Sequence, residues 1–154
     1  MSWFSVTHLH VWMCMCRNAH LDDPHYVKNL NKDLYECFQE DISARIYAMG
    51  VTDAMEVGRR IKQLVEIFWG FTVAYDEGLL YEDSVLAAAL WRNMYDCRPD
   101  VPIQELEALV RYIRRETLAL DDMSDSDVLL GITYFKPPDY QPHESHSPVA
   151  DNVQ

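Results

Sequence analysis

Residues 49 to 80, MGVTDAMEVGRRIKQLVEIFWGFTVAYDEGLL, decide the fold class. Val57, Ile61, Leu64, Phe68, Phe71 and Thr72 recur mostly every three or four residues, and at 100° per residue they share a stripe narrower than ~100°. That spacing predicts a long helix with one apolar face. Thr52 is the expected N-cap, the helix is expected to reach about Tyr75, and Gly78 is expected to close it. Gly58 and Gly70 fall inside and cost about 1 kcal/mol each relative to Ala, which predicts another element pressed close at those points.

The same periodicity continues on both sides. Upstream, residues 5 to 17 predict a first helix capped by Ser5 or Thr7, and Pro24 separates it from a second over about 26 to 49 that Gly50 ends. Downstream, Glu82 and Asp83 open a fourth helix near 84 to 96, and Pro102 stands in the first turn of a fifth. A short sixth segment follows Ser124. From about Thr133 the prolines at 137, 138, 142 and 148 predict an extended, largely disordered tail. With no internal repeat and no β-pattern of consequence, the expectation is an all-α, single-domain bundle of five to six helices over 1–132 with a flexible tail over 133–154.

A chain of 154 residues can bury roughly two thirds of its unfolded surface, so neither a metal nor a disulfide framework is required. Thirteen basic residues against 25 acidic ones give a formal net charge of −12, which disfavours direct nucleic-acid binding. The longest strictly apolar run, Val85 to Trp91, is far short of the ~20 residues of a membrane-spanning helix. Cys14, Cys16, Cys37 and Cys97 are too sparse for a secreted disulfide scaffold, so a reducing compartment is expected. The opening MSWFSVTHLH is not an Arg-rich, Ser-rich transit peptide, and any organelle address is expected to lie outside this chain.

No phosphate-binding glycine loop, HExxH or Glu-x-x-His pair is present, and the acids form no recognisable catalytic pair, so no enzymatic activity, cofactor or metal is expected. The best metal candidate is the first helix, where His8, His10, Cys14, Cys16 and His20 fall within 13 residues. His10 with Cys14 and Cys16 with His20 are i, i+4 pairs, but the two pairs point more than ~100° apart, so they cannot converge on one ion while the helix is intact. Buried thiols acting as small hydrophobes are the simpler reading. A heme- or metal-handling protein using His10 and Cys14 is the alternative.

That helix also reads as a surface. Val6, Leu9, Met13 and Cys16 form one face with Trp12 at its edge, while Phe4, Val11 and Met15 form a second stripe about 180° away. It is then either a central helix covered on both sides or one whose second stripe awaits a partner. Tyr75, Asp76 and Glu77 sit where the helix dipole disfavours negative charge, so they are expected to meet Arg59, Arg60 or Arg92, or else to form a partner-facing acidic corner. Candidate binding residues are therefore Phe4, Val11, Trp12, Met15, Trp69, Tyr75, Asp76 and Glu77.

The stretch 49 to 80, with its Met-Gly-Val, Phe-aromatic-Gly and Tyr-Asp-Glu elements, resembles the core of the ubiquinol-cytochrome c chaperone family. SWF with LHVWMC, residues 2 to 14, and DSVLAAALWRN, residues 83 to 93, resemble the animal branch, and the likeness covers roughly residues 2 to 121. The resemblance implies a helical chaperone on the matrix side of the mitochondrial inner membrane. It implies a heterodimer with a small partner assembly factor, binding to newly made cytochrome b near the mitochondrial ribosome, and support for assembly of the bc1 complex, complex III. Animal members carry a targeting segment before SWF, so the chain is expected to be a short form or a fragment.

Overall fold

A computed structural model describes residues 1–139 and contains six α-helices and no strand among them: α1 (Trp3–Asn18), α2 (Pro24–Ala48), α3 (Ala54–Leu80), α4 (Asp83–Tyr95), α5 (Ile103–Asp121) and α6 (Asp125–Leu129). The all-α reading and the six elements hold. The caps are mostly those that short polar side chains provide: Ser2 accepts from the Ser5 N–H, Asp23 from His25 and Tyr26, and Ser124 from Asp127. Pro24 sits in the first turn of α2, and Gly50, at φ +87°, follows its end as expected. For α3 the cap is Asp53, whose carboxylate accepts from the Met55 N–H, and not Thr52.

α1 lies between two apolar clusters. Leu9, Trp12 and Met13 join Tyr75, Leu86, Leu90, Leu109 and Ile113 in the larger one, built with α3, α4 and α5. Val11 is buried in the smaller one with Phe38, Ile42, Ile46, Val57 and Phe68, and Phe4 and Met15 pack against it. Both stripes of α1 are thus covered by this chain's own helices. Of the second stripe, Val11 is buried against α2 and α3 and so is not open to a partner, Phe4 is partly covered by the same helices, and Met15 is partly covered and also borders the groove described below.

The close approach along α3 falls at Gly78, and not at Gly58 or Gly70 as their place inside the helix predicts. Gly58 and Gly70 are exposed with open space around them. Gly78 lies inside α3 and does not close it; a Cβ there would meet the Leu86 Cα at 2.7 Å. That absence of a side chain lets α3 and α4 pack backbone to backbone across the tight turn at 81–82. Arg114 completes the corner. Its guanidinium donates to the carbonyls of Leu79 (2.7 Å), Tyr81 (2.9 Å) and Gly78 (3.2 Å), which the end of α3 would otherwise leave unpaired, and pairs with Asp83 at 3.2 Å.

Arg17 does the same for α5. Nearly fully buried, it donates to the Leu120 and Met123 carbonyls, both at 2.8 Å, and pairs with Asp125 at 2.6 Å. Residues 133–139 carry no regular secondary structure, but they are held against the bundle. Phe135 packs edge-on to His10 at 4.6 Å, the buried Glu116 accepts from the Lys136 N–H, and Arg115 reaches Asp139 and the carbonyls of Lys136 and Pro137. The rest of the expected tail, 140–154, lies outside the described residues.

A candidate binding groove between α1, α2 and α3

No side chain in the N-terminal half of α2 is fully buried, although Leu34 and Tyr35 pack at the edge of the smaller cluster; Phe38, Ile42 and Ile46 are the fully buried side chains of this helix. Upstream of Phe38 the helix touches α1 through Asn31, which accepts from Asn18 at 2.8 Å, and α3 through Tyr35, whose ring lies 5.1 Å from that of Phe68, and beside these contacts is a groove of about 840 Å³. Trp12, Met15, Cys16, Ala19 and His20 form its floor, Lys28, Asn31, Lys32 and Tyr35 one wall, and Trp69, Thr72, Asp76, Leu79 and Leu80 the other. At this size and lining it falls within the ~300–1,000 Å³ range of ordinary ligand sites.

The outer edge of the α3 wall is apolar and open to solvent. Trp69 is 50% exposed, Val73 66% and Leu80 83%. At 100° per residue these three lie within about 40° of one another and about 120° from the core stripe. An exposed apolar row beside a groove is the surface feature that marks interaction sites.

Four of the eight sequence-predicted residues meet at this groove: Trp12, Met15, Trp69 and Asp76. Trp12 is fully buried and donates from Nε1 to Asp76 Oδ1 at 2.7 Å, so indole and carboxylate satisfy one another across the α1–α3 junction. This pairing replaces the expected ion pair, since Arg59 and Arg60 are both engaged by Glu56, at 2.8 and 2.7 Å. Tyr75 is wholly buried, its hydroxyl pushed above the ordinary tyrosine range by desolvation, and it faces Asn93 without completing a normal hydrogen bond to it. Glu77 is exposed on the far side of the row, and Phe4 and Val11 lie in the smaller cluster.

Behind the groove wall sits His8, which sequence reading treated only as a possible ligand. It is fully buried within an aromatic box, 4.3 Å from the Phe68 ring, with Nε2 3.1 Å from Thr72 Oγ1. Desolvation lowers its pKa to about 4, so it is neutral. His10 is equally committed. Its Nδ1–H donates to the Val6 carbonyl at 2.7 Å, and Nε2 accepts from the Tyr112 hydroxyl at 2.6 Å, which leaves no lone pair for a metal shared with Cys14. Among the described residues no three metal-ligating side chains converge.

Residues 1–135 match the family model described as ubiquinol-cytochrome C chaperone. The chain belongs to that family. Among its relatives, the ubiquinol-cytochrome-c reductase complex assembly factor 1 of Xenopus laevis is 37% identical over 129 residues, 84% of this chain and 62% of that protein. The mouse protein of that name is 35% identical over the same share of this chain and 42% of its own length. Protein CBP3, mitochondrial, of Saccharomyces cerevisiae is 31% identical over 137 residues, 88% of this chain and 41% of its own. The chain thus spans only part of these relatives. The crystal structure of the Cbp3 homolog from Brucella abortus has the same fold, with a TM-score of 0.71 at 24% identity over 84% of this chain and 70% of that one. No helix among the described residues is long and apolar enough to cross a membrane.

Proposed function

We propose that this chain is a mitochondrial assembly chaperone for the cytochrome bc1 complex, and that it holds an apolar segment of newly made cytochrome b on the row Trp69, Val73 and Leu80 and the groove beside it. The observation that carries this is the family match over residues 1–135, together with an apolar row left open on the longest helix. A membrane subunit awaiting assembly presents apolar helix faces, and an open row of this kind covers such a face without itself entering lipid. Work on the matrix side of the inner membrane beside a small partner assembly factor, with the ribosome met only indirectly, completes the reading. The net charge of −12 supports protein contacts in place of direct RNA contacts.

Affinity capture of the tagged chain from mitochondria, followed by identification of what co-elutes, tests this. Cytochrome b and one small assembly factor are the expected companions. A folded, imported chain that recovers neither would overturn the reading. The heme- or metal-handling alternative built on His10 and Cys14 loses its ligand set, because both His10 nitrogens are occupied.

A further inference from the structure

The connection between α2 and α3 carries apolar side chains that the fold does not use. Ile46 and Val57 supply the core contacts on its two sides, and Val51 packs against the same cluster. Tyr47 in the last turn of α2, Met49 just after it and Met55 in the first turn of α3 are instead 50%, 70% and 84% exposed. Gly50, at φ +87°, makes the bend between them. Exposed apolar residues scattered singly are ordinary, but three that bracket one turn at one end of the bundle form a patch.

Charge sets this end apart. The whole chain has 13 basic residues against 25 acidic ones, whereas residues 43 to 62 hold Arg45, Arg59, Arg60 and Lys62 against Asp53 and Glu56. Arg59 and Arg60 share the single carboxylate of Glu56, at 2.8 and 2.7 Å, so that trio keeps a positive charge. Lys62 is exposed and pairs with no acid among the described residues. Arg45 lies over the Trp3 ring and pairs with Asp41 at 3.2 Å; with Asp41 counted, basic residues still outnumber acidic ones here. On α3 the positive groups stand one to two turns behind Met55, about 6 to 10 Å of axial rise.

We propose that the α2–α3 tip docks this protein end-on against an anionic lipid surface, with Tyr47, Met49 and Met55 in the interface and Arg59, Arg60 and Lys62 among the headgroups. An apolar tip backed by basic groups matches the layering of such a surface, and unbranched methionines adapt to a fluid one. A net charge of −12 repels anionic lipid from the rest of the chain, so the favourable approach is the one in which this end leads. Trp69, the nearest member of the open row, lies roughly 20 Å further along α3 than Met55, so the two surfaces are separate and this inference does not rest on the client reading.

Cosedimentation of the purified full chain with vesicles of phosphatidylcholine containing one third phosphatidylglycerol, beside phosphatidylcholine alone, tests this. Wild type is expected to bind the anionic vesicles about tenfold more tightly than the neutral ones. Met49→Asp with Met55→Asp is expected to weaken binding to the anionic vesicles by about tenfold or more, and Lys62→Glu by several-fold. Circular dichroism melts of these variants should stay within a few degrees of wild type, since all three side chains are exposed. Hydrogen exchange on the vesicles is expected to slow at residues 50–56 and not at 69–80. Wild type that stays in the supernatant, or a folded methionine double variant that sediments like wild type, overturns the proposal. Loss of vesicle binding in Val73→Asp with Leu80→Asp, with the methionine variant unaffected, would place lipid on the row and overturn it equally. No client is present in this assay, so an absence of vesicle binding leaves the client reading as it stands.

Discussion

The two sides of α1 are built differently. On one side α3, α4 and α5 close a cluster of fourteen buried residues, and three arginines, Arg17, Arg114 and Arg115, tie helix ends and the 133–139 strap to it. On the other side six buried residues, two of them phenylalanines, hold the C-terminal half of α2, with Leu34 and Tyr35 packed at their margin. The first side spends its polar groups on fixing backbone ends. The second leaves the N-terminal half of α2 without a fully buried side chain, an apolar row open and a groove between. The contrast separates a scaffold from a surface that can accept something, and substitutions on each side should behave accordingly.

The largest effect is expected where α3 and α4 touch. Gly78→Val places side-chain atoms into the Leu86 backbone and should cost 3 kcal/mol or more, beyond ordinary overpacking, whereas Gly70→Ala, in open space on the same helix, should be neutral or stabilise by up to about 1 kcal/mol. Urea unfolding of the two variants checks this; equal midpoints would mean that the α3–α4 contact is looser than described. Trp12→Ala, at the α1–α3 junction, should cost about 3–5 kcal/mol and leave Asp76 without its donor. A calorimetric melt within a few degrees of wild type would contradict its place in the core.

A smaller effect belongs to His8. Its folded pKa, about 4, lies below the unfolded 6.5, so between these values the unfolded chain binds the extra proton. Stability should therefore be complete above pH 6.5, fall by about 2 kcal/mol on going from pH 6.5 to pH 5, and level off below pH 4. His8→Phe should flatten that dependence in urea titrations run at several pH values. An unaltered slope would assign it to the carboxylates instead.

What was legible in the sequence follows the same divide. Periodicity located all six helices, and the two stripes of α1 were visible because ten apolar residues cannot share one face of a 16-residue helix. Their occupants were not, since whether a stripe meets α2 or a partner depends on packing between distant segments. Gly78 was read as a helix stop because a C′ glycine and a close-packed interior glycine look alike in one dimension. Asp76 was expected to seek an arginine; its donor, Trp12, lies 64 residues away and carries no charge to advertise the pairing. His10 with Tyr112, 102 residues apart, was equally hidden. The open row was missed in part, with Trp69 named but Val73 and Leu80 not, although their spacing of four and seven residues was available.

The comparison is tested most directly by making the open row charged and asking whether folding and recovery of the client separate. Val73→Asp combined with Leu80→Asp changes two side chains of the row that are 66% and 83% exposed, so the melting temperature should stay within a few degrees of wild type. Capture of the tagged double variant from mitochondria should then recover less than a tenth of the wild-type yield of cytochrome b. A double variant that melts normally and still recovers cytochrome b at wild-type yield would contradict the assignment of this surface to the client.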